Sequence, residues 1–251
     1  MLLHNFDDKN RWQLAQDCQK ANQLNKKSKM ITEDFKPFLI GRYKYASALI
    51  ELVKKYKEVN DTSRILELGS GPHGISFFYP IGIRVALDPL ALFYHCEFTF
   101  IQEGTNALIV QGMGERLPFP SKTFDCVVSD NVIDHTSNAR EILFEIYRVL
   151  KDDGLFLLTV NLHHWAYKVI CTVFNMLFSL NIILNFPNFK THTYFFTPAM
   201  LKQMLKRSGF EILFADIPIP RTRRFLSNKG VISLKPFNHI LGKFVCSKSI
   251  S

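Results

Sequence analysis

Two features of the chain could bind a ligand. The first is the run Glu67-Leu68-Gly69-Ser70-Gly71-Pro72-His73-Gly74. Glycines placed directly after an apolar, strand-length segment let the backbone turn sharply and come close to a bound group. The string Gly69-x-Gly71-x-x-Gly74 also satisfies the spacing of a dinucleotide-binding turn. The second is Asp88, which ends the next apolar run, 19 residues after Gly69. A carboxylate there can accept hydrogen bonds from both ribose hydroxyls of a nucleoside. Together the two features predict an adenosine-containing ligand at the carboxyl ends of the strands.

Those strands are legible as short apolar runs at Arg64–Leu68, Ile83–Leu87, Ala107–Val110, Phe124–Val128 and Leu155–Val160, with closing runs at Phe210–Ala215 and Leu241–Cys246. Several lack polar alternation, as strands covered on both faces should. Helical patterns stand between or before them. Tyr43, Ala46, Ile50 and Val53 recur at steps of three and four. From Asn138 to Lys151 an apolar face follows a capping-box-like start, Asn138 with Glu141, and Gly154 stands as a stop. A last helix opens at Thr197-Pro198 and closes at Gly209. Strand alternating with helix predicts an α/β fold with a mostly parallel sheet. Residues 1–39 are expected to form an N-terminal helical arm or lid. Residues 40–251 would form the main domain, with an apolar helical insert at about 161–196.

Composition agrees with a globular chain of 251 residues: 47% are apolar and 21% charged. The net charge of +9 is dispersed in clusters such as Lys26/Lys27/Lys29, Lys54/Lys55/Lys57 and Arg221/Arg223/Arg224, which read as solvated surface. Five isolated cysteines with no Cys-x-x-Cys spacing point to neither a zinc site nor a disulfide framework, and a reducing cytoplasm fits them. The first ten residues carry Asp7 and Asp8 and no apolar h-region, so no secretory signal is expected.

Three observations separate the adenosine ligands. Glu67 stands two residues before the first glycine. The first strand begins some 60 residues into the chain, whereas dinucleotide folds usually open with it. Between Gly112 and His135 runs Gly-Met-Gly-Glu-Arg-Leu-Pro-Phe-Pro-Ser-Lys-Thr-Phe-Asp-Cys-Val-Val-Ser-Asp-Asn-Val-Ile-Asp-His. With these segments the chain resembles a class I S-adenosylmethionine-dependent methyltransferase of the small-molecule group, over about residues 40–160 and more weakly at Thr197–Asp216. The resemblance implies a Rossmann-like fold: a mostly parallel seven-stranded sheet with an antiparallel last strand and helices on both faces. It implies S-adenosyl-L-methionine as cofactor. Gly69, Ser70 and Gly71 would line its methionine and ribose, with Glu67 at the cationic amino-acid end. Gly74 completes the turn, Asp88 would hold the ribose, and Pro89 and Leu90 would cover the adenine. Gly114 would offer its N–H to the ring, and Asp130 and Asn131 would stand near the methionine carboxylate and the methyl group.

Two departures from the pattern bear on the site. His73 stands where the third glycine is usual, and histidine tolerates positive φ better than bulky residues do. Met113 stands where an Asp often binds the adenine amino group. Met113 can only pack on the ring, which leaves adenine to backbone groups and shape, or to Glu115.

Methyl transfer needs a nucleophile held close and collinear, and a hydroxyl acceptor also needs a base. Histidine has a suitable pKa. His163 and His164, with Trp165, are the preferred acceptor-pocket residues. His135 is a further candidate, assigned to orienting its loop, and His192 precedes the last helix. No metal is expected, since adjacent histidines splay apart and no third ligand is suitably spaced. Residues 169–186 carry no charge. A transmembrane span is rejected because the closing strands must return to the sheet. A buried helix, a lid over a hydrophobic acceptor, a peripheral membrane contact through 166–186 and a dimer face all stay open. The expected acceptor is small or lipid-like. Nucleic acid is not the expected partner: no appended RNA-binding module is visible, and Ser129-Asp130-Asn131-Val132 replaces the Asn-Pro-Pro-Tyr-type string of many base N-methylating enzymes. The alternatives are an RNA- or protein-directed methyltransferase, an NAD-dependent oxidoreductase, and a cofactor-binding relative without catalysis.

Overall fold

The computed structural model describes residues 8–32, 34–102, 104–164, 194–218 and 240–249. Trp165, the apolar stretch 169–186, His192 and the Arg221/Arg223/Arg224 cluster lie outside the described residues. Two helices, α1 (Asp8–Thr32) and α2 (Lys36–Lys54), precede the first strand, β1 (Arg64–Leu68). There follow β2 (Ile83–Asp88), α3 (Ala91–Glu97), α4 (Thr99–Gln102), β3 (Leu108–Gln111), β4 (Phe124–Asp130), α5 (Ala139–Val149) and β5 (Leu150–Leu162). The chain closes with α6 (Pro198–Arg207), β6 (Phe210–Asp216) and β7 (Ile240–Lys248).

The seven strands form one sheet in the order β3-β2-β1-β4-β5-β7-β6. Neighbours from β3 to β5 are parallel, and β7 runs antiparallel to both β5 and β6. This is the architecture the sequence predicts. Alternate residues of the central strands feed two cores. Ile65, Cys126, Val128, Leu155, Leu157 and Val245 meet Ala46, Leu49, Ile50 and Val53 of α2. On the opposite face Leu66, Val127, Phe156, Leu158 and Phe244 meet α5 and α6. Burial on both faces explains why the strands show no polar alternation.

Two boundaries differ from expectation. Tyr43 is 54% exposed, and Leu49 takes its place in the buried stripe of α2. Helix α5 ends at Val149 rather than at Lys151, because Leu150 is already extended and pairs with Phe124. Asn138 caps α5 by accepting from the N–H groups of Arg140 and Glu141. The N–H of Asn138 itself donates to Glu115, at 3.2 Å, from the loop after β3.

The crossover from β1 to β2, residues 69–82, contains only two 3-10 turns, Gly71–His73 and Ile75–Phe77. Such turns leave many backbone groups without an internal partner. Buried charges supply them. Glu67 accepts from the N–H groups of Ile75 (2.7 Å) and Ser76 (2.8 Å). Arg84 of β2 donates to the carbonyls of Ser76 and Tyr79, and also to that of Thr105. Replacing Arg84 by Leu strands these carbonyls in the interior, at about 1–3 kcal/mol for each group left unsatisfied. Urea unfolding of Arg84→Leu is expected to show a loss of roughly 2–5 kcal/mol with an unchanged denaturant slope; a loss below about 1 kcal/mol would contradict this role.

Candidate functional site

The strand order reverses between β1 and β4, and ligands of open α/β sheets bind outside the carboxyl ends of the strands at that point. Gly69 follows β1 with φ +65°. Its N–H and that of Ser70 donate to the Leu87 carbonyl at the end of β2. A Cβ on Gly69 would lie 2.5 Å from both Val132 methyls, so only glycine lets the loops after β1 and β4 come together. Gly71 also has positive φ, +56°, but faces open space. One glycine permits packing and the other leaves room for a ligand.

Asp88 joins these loops from below. Its Oδ2 accepts from the Gly71 N–H at 2.9 Å and its Oδ1 from the Leu90 N–H at 2.8 Å. It is 7% exposed and borders the cleft. Burial raises its pKa to about 6, against the pull of the two N–H bonds. Each oxygen keeps a lone pair, so Asp88 can still accept from a diol. The Tyr94 hydroxyl is pushed up by burial and then by the Asp88 charge.

Eight of the expected cofactor residues border one cavity. Gly69, Gly71, Asp88 and Pro89 lie on the β1–β2 side, and Met113, Gly114, Glu115 and Asn131 come from the loops after β3 and β4. Gly114 is needed for packing: a Cβ there would meet Ile142 Cδ1 at 3.0 Å. Glu115 Oε1 accepts from the Ser137 hydroxyl and from the N–H groups of Ser137 and Asn138. That oxygen pins the loop ahead of α5. Asn131 adopts φ +58° and accepts from Asn161 Nδ2.

Glu67, Ser70, Gly74 and Asp130 are not on that wall. Glu67 is 1% exposed and lies beneath the loop, both oxygens given to Ile75 and Ser76. Gly74 has φ −57°, and its lack of a Cβ makes room for Glu67 Oε2, which would otherwise lie 2.6 Å away. His73 does not have positive φ. Its ring stands edge-on to Phe38 and Phe98, and neither ring nitrogen has a hydrogen-bond partner. Burial, then Lys26 and Arg42, lower its pKa to about 4.

The histidines separate. His135 borders the cavity, its Nε2 3.9 Å from Asp134. His163 is 3% exposed, edge-on to Phe195 at 5.4 Å, and away from the cavity wall. His164 is exposed, after the end of β5.

The sequence pattern does not reveal several polar residues around Asp130. Its Oδ1 accepts from the Tyr45 hydroxyl and the Thr159 hydroxyl, each at 2.6 Å, and Arg42 approaches its Oδ2 at 3.7 Å. Burial and then Asp130 push the Tyr45 hydroxyl up, so it stays protonated and donates. Arg42 and Tyr45 sit three apart, beside the apolar stripe of α2 that the periodicity reveals. Gln16 and Gln19 of α1 also border the cavity, and no motif marks them.

Glu67 carries a test of this burial. Desolvation lifts its pKa from the ordinary 4.5 to about 7, with Asp130 adding to the rise against the loop N–H bonds. Asp88 shifts the same way. These two carboxyls therefore bind more protons in the native state than in the unfolded chain between about pH 4 and pH 7 and outweigh the opposite contribution of His73, so stability falls as pH rises through that window. The urea midpoint of the ligand-free protein is expected to drop between about pH 5 and pH 8, and less steeply in Glu67→Gln. A midpoint that rises over this range would refute the assignment.

Residues 85–158 match a family described as "Methyltransferase domain", a stretch running from β2 into β5. The chain is 33% identical over 111 residues to the Bacillus subtilis protein called uncharacterized methyltransferase YcgJ, covering 43% of this chain and 44% of that one. It is 29% identical over 161 residues to the mitochondrial ubiquinone biosynthesis O-methyltransferase of Rattus norvegicus, covering 59% of this chain and 44% of the relative. The chain thus spans less than half the length of these two curated relatives. The solved structure of YcgJ superposes with a TM-score of 0.58 at 18% identity, over 82% of this chain and 99% of that one. The structure of the [4+2]-cyclase SpnF gives 0.58 at 14% identity, over 81% of each chain. At such identities the structural likeness is one of fold. The family match, over residues 85–158, lies across the ligand-facing strands, so this part of the chain is similar to a methyltransferase domain and the whole shares its fold with the solved structures named above.

Proposed function

We propose that the protein transfers a methyl group from S-adenosyl-L-methionine to a small or hydrophobic acceptor. One observation carries this reading: a buried carboxylate, Asp88, ends β2 and secures Gly71, whose Cβ side is open to the cleft. The residues present fit the cofactor. Asp88 would hold the ribose hydroxyls, Gly69 and Gly71 would allow close approach, and Pro89 and Met113 would flank the adenine. Asp130, oriented by Tyr45, Thr159 and Arg42, would face the cationic end of the cofactor. When bound, the cofactor supplies an activated methyl group, and the protein has to align the acceptor and exclude water.

His135 is the histidine whose position supports a role as base toward a hydroxyl acceptor. The rat relative's name, with its quinone-pathway O-methylation, supports a hydrophobic acceptor. No helix among the described residues is long and apolar enough to cross a membrane. A cytoplasmic setting, with α1 as a lid, belongs to the same proposal.

SpnF, named a cyclase, shares this fold, so cofactor binding and chemistry need separate tests. Calorimetry should show binding of S-adenosylhomocysteine and none of NAD; binding of NAD alone would overturn the cofactor reading. Asp88→Ala is expected to weaken S-adenosylhomocysteine about 10- to 150-fold, the equivalent of about 1.5–3 kcal/mol for hydrogen bonds to a charged group. Because the ionised carboxylate is the better acceptor, affinity should fall as the pH drops below about 6, and Asp88→Asn should be nearly flat there. For transfer itself, acceptor panels with radiolabelled cofactor should show turnover reduced about 10²- to 10⁴-fold in His135→Ala, with cofactor affinity little changed. Equal turnover in the variant would remove His135 from the chemistry.

A further inference from the structure

Helix α1 turns a polar face toward the protein. At helical spacing this face carries Gln16, Gln19, Gln23, Lys27 and Met30. Its carboxyl-terminal half is docked firmly. Met30 is buried with Tyr94 and Phe98. Lys27 pairs with Glu97 at 2.8 Å and lies 5.9 Å from the centre of the Phe98 ring. Lys20 stands 5.9 Å from the centre of the Phe93 ring. These contacts place α1 on α3, which begins directly after Asp88-Pro89-Leu90, and so on the β2 side of the cleft.

There Gln16 and Gln19 border the cavity, and among the described residues neither carboxamide has a hydrogen-bond partner. One turn on, Gln23 is 6% exposed with its Oε1 buried and unpartnered. A helix face that only packed against protein would gain more from leucine. A buried polar group left unpaired, as Gln23 Oε1 is, costs stability. The side chain at the position facing the ring does not offer what these amides do. Met113 has no donor or strong acceptor, and Glu115 Oε1 is committed to Ser137 and Asn138. A carboxamide presents a donor and an acceptor side by side, which matches the amino group and the adjacent ring nitrogen of adenine.

We infer that Gln16 and Gln19 read the purine edge of the adenosyl group, so that base specificity resides on α1 and not on the loop after β3. The inference rests on the cofactor assignment of the proposed function. It makes α1 part of the binding site, and ligand binding would fasten its amino-terminal half.

A cycle of two ligands and two proteins tests it. The ligands are S-adenosylhomocysteine and its analogue with unsubstituted purine, which lacks only the exocyclic amino group. Their dissociation constants are measured by calorimetry. The unaltered protein should prefer the adenine compound about tenfold, as for one to two net hydrogen bonds. In Gln16→Ala/Gln19→Ala that preference should collapse toward unity, chiefly through weaker binding of the adenine compound. Gln13→Ala, on the exposed face of α1, should keep the tenfold ratio. Asp88→Asn should weaken both ligands while keeping the ratio. A preference unchanged in the double variant, or a ratio near one in the unaltered protein, overturns the inference while leaving the cofactor reading intact. Failure of the unaltered protein to bind either ligand overturns both.

Discussion

The cleft depends on how the chain satisfies the backbone between β1 and β2. That crossover has no α-helix to pair its own N–H and C=O groups. Two buried ionisable side chains, one on each strand, pair them instead. Glu67 holds the amides of Ile75 and Ser76, and Arg84 holds the carbonyls of Ser76 and Tyr79. The two do not neutralise each other directly. Each is directed at backbone dipoles, an arrangement that trades desolvation for a rigid, short loop. A rigid loop keeps Gly69 against Val132 and leaves Gly71 open. Gly74 is then required for a reason of space, since Glu67 occupies the volume a Cβ would need.

A consequence is electrostatic. Glu67, Asp88 and Asp130 all stand at the carboxyl ends of neighbouring strands. Glu67 and Asp88 are raised in pKa by burial, and Asp130 adds its charge to the rise at Glu67. Such a cluster suits the cationic cofactor of the proposed function. The donors set against these carboxylates are mostly neutral: backbone N–H groups, the Tyr45 and Thr159 hydroxyls, and the amides. Arg42, at 3.7 Å from Asp130, is the nearest cation to that carboxylate among the described ion pairs.

Much of the site could be seen in the chain because local chemistry has local signatures. A glycine turn after an apolar run, and an acid ending the next run, are adjacent in sequence to the strands that present them. Gly69, Gly71 and Asp88 accordingly fall on one cavity, together with Pro89, Met113, Gly114, Glu115 and Asn131, which only the family resemblance had marked. Residue type alone did not show direction. Glu67, next to the turn, points under it. His163 follows β5 yet is buried on Phe195, while His135 faces the cleft. In a strand each residue points to the opposite face from its neighbour, and loop geometry then decides what faces the ligand.

The sequence alone determined the strand and helix alternation, the seven apolar runs and the glycine–acid pair, because periodicity and turn chemistry are local properties of a chain. Tertiary structure decided which side chains share a space. Tyr45 and Arg42 reach Asp130 across 85 or more positions because α2 packs on one face of the sheet with its amino-terminal half beside the end of β4. Gln16 and Gln19 reach the cleft because Met30 and Lys27 anchor α1 on α3. Contacts between distant segments follow from how helices dock on a sheet, and no spacing within either segment encodes them.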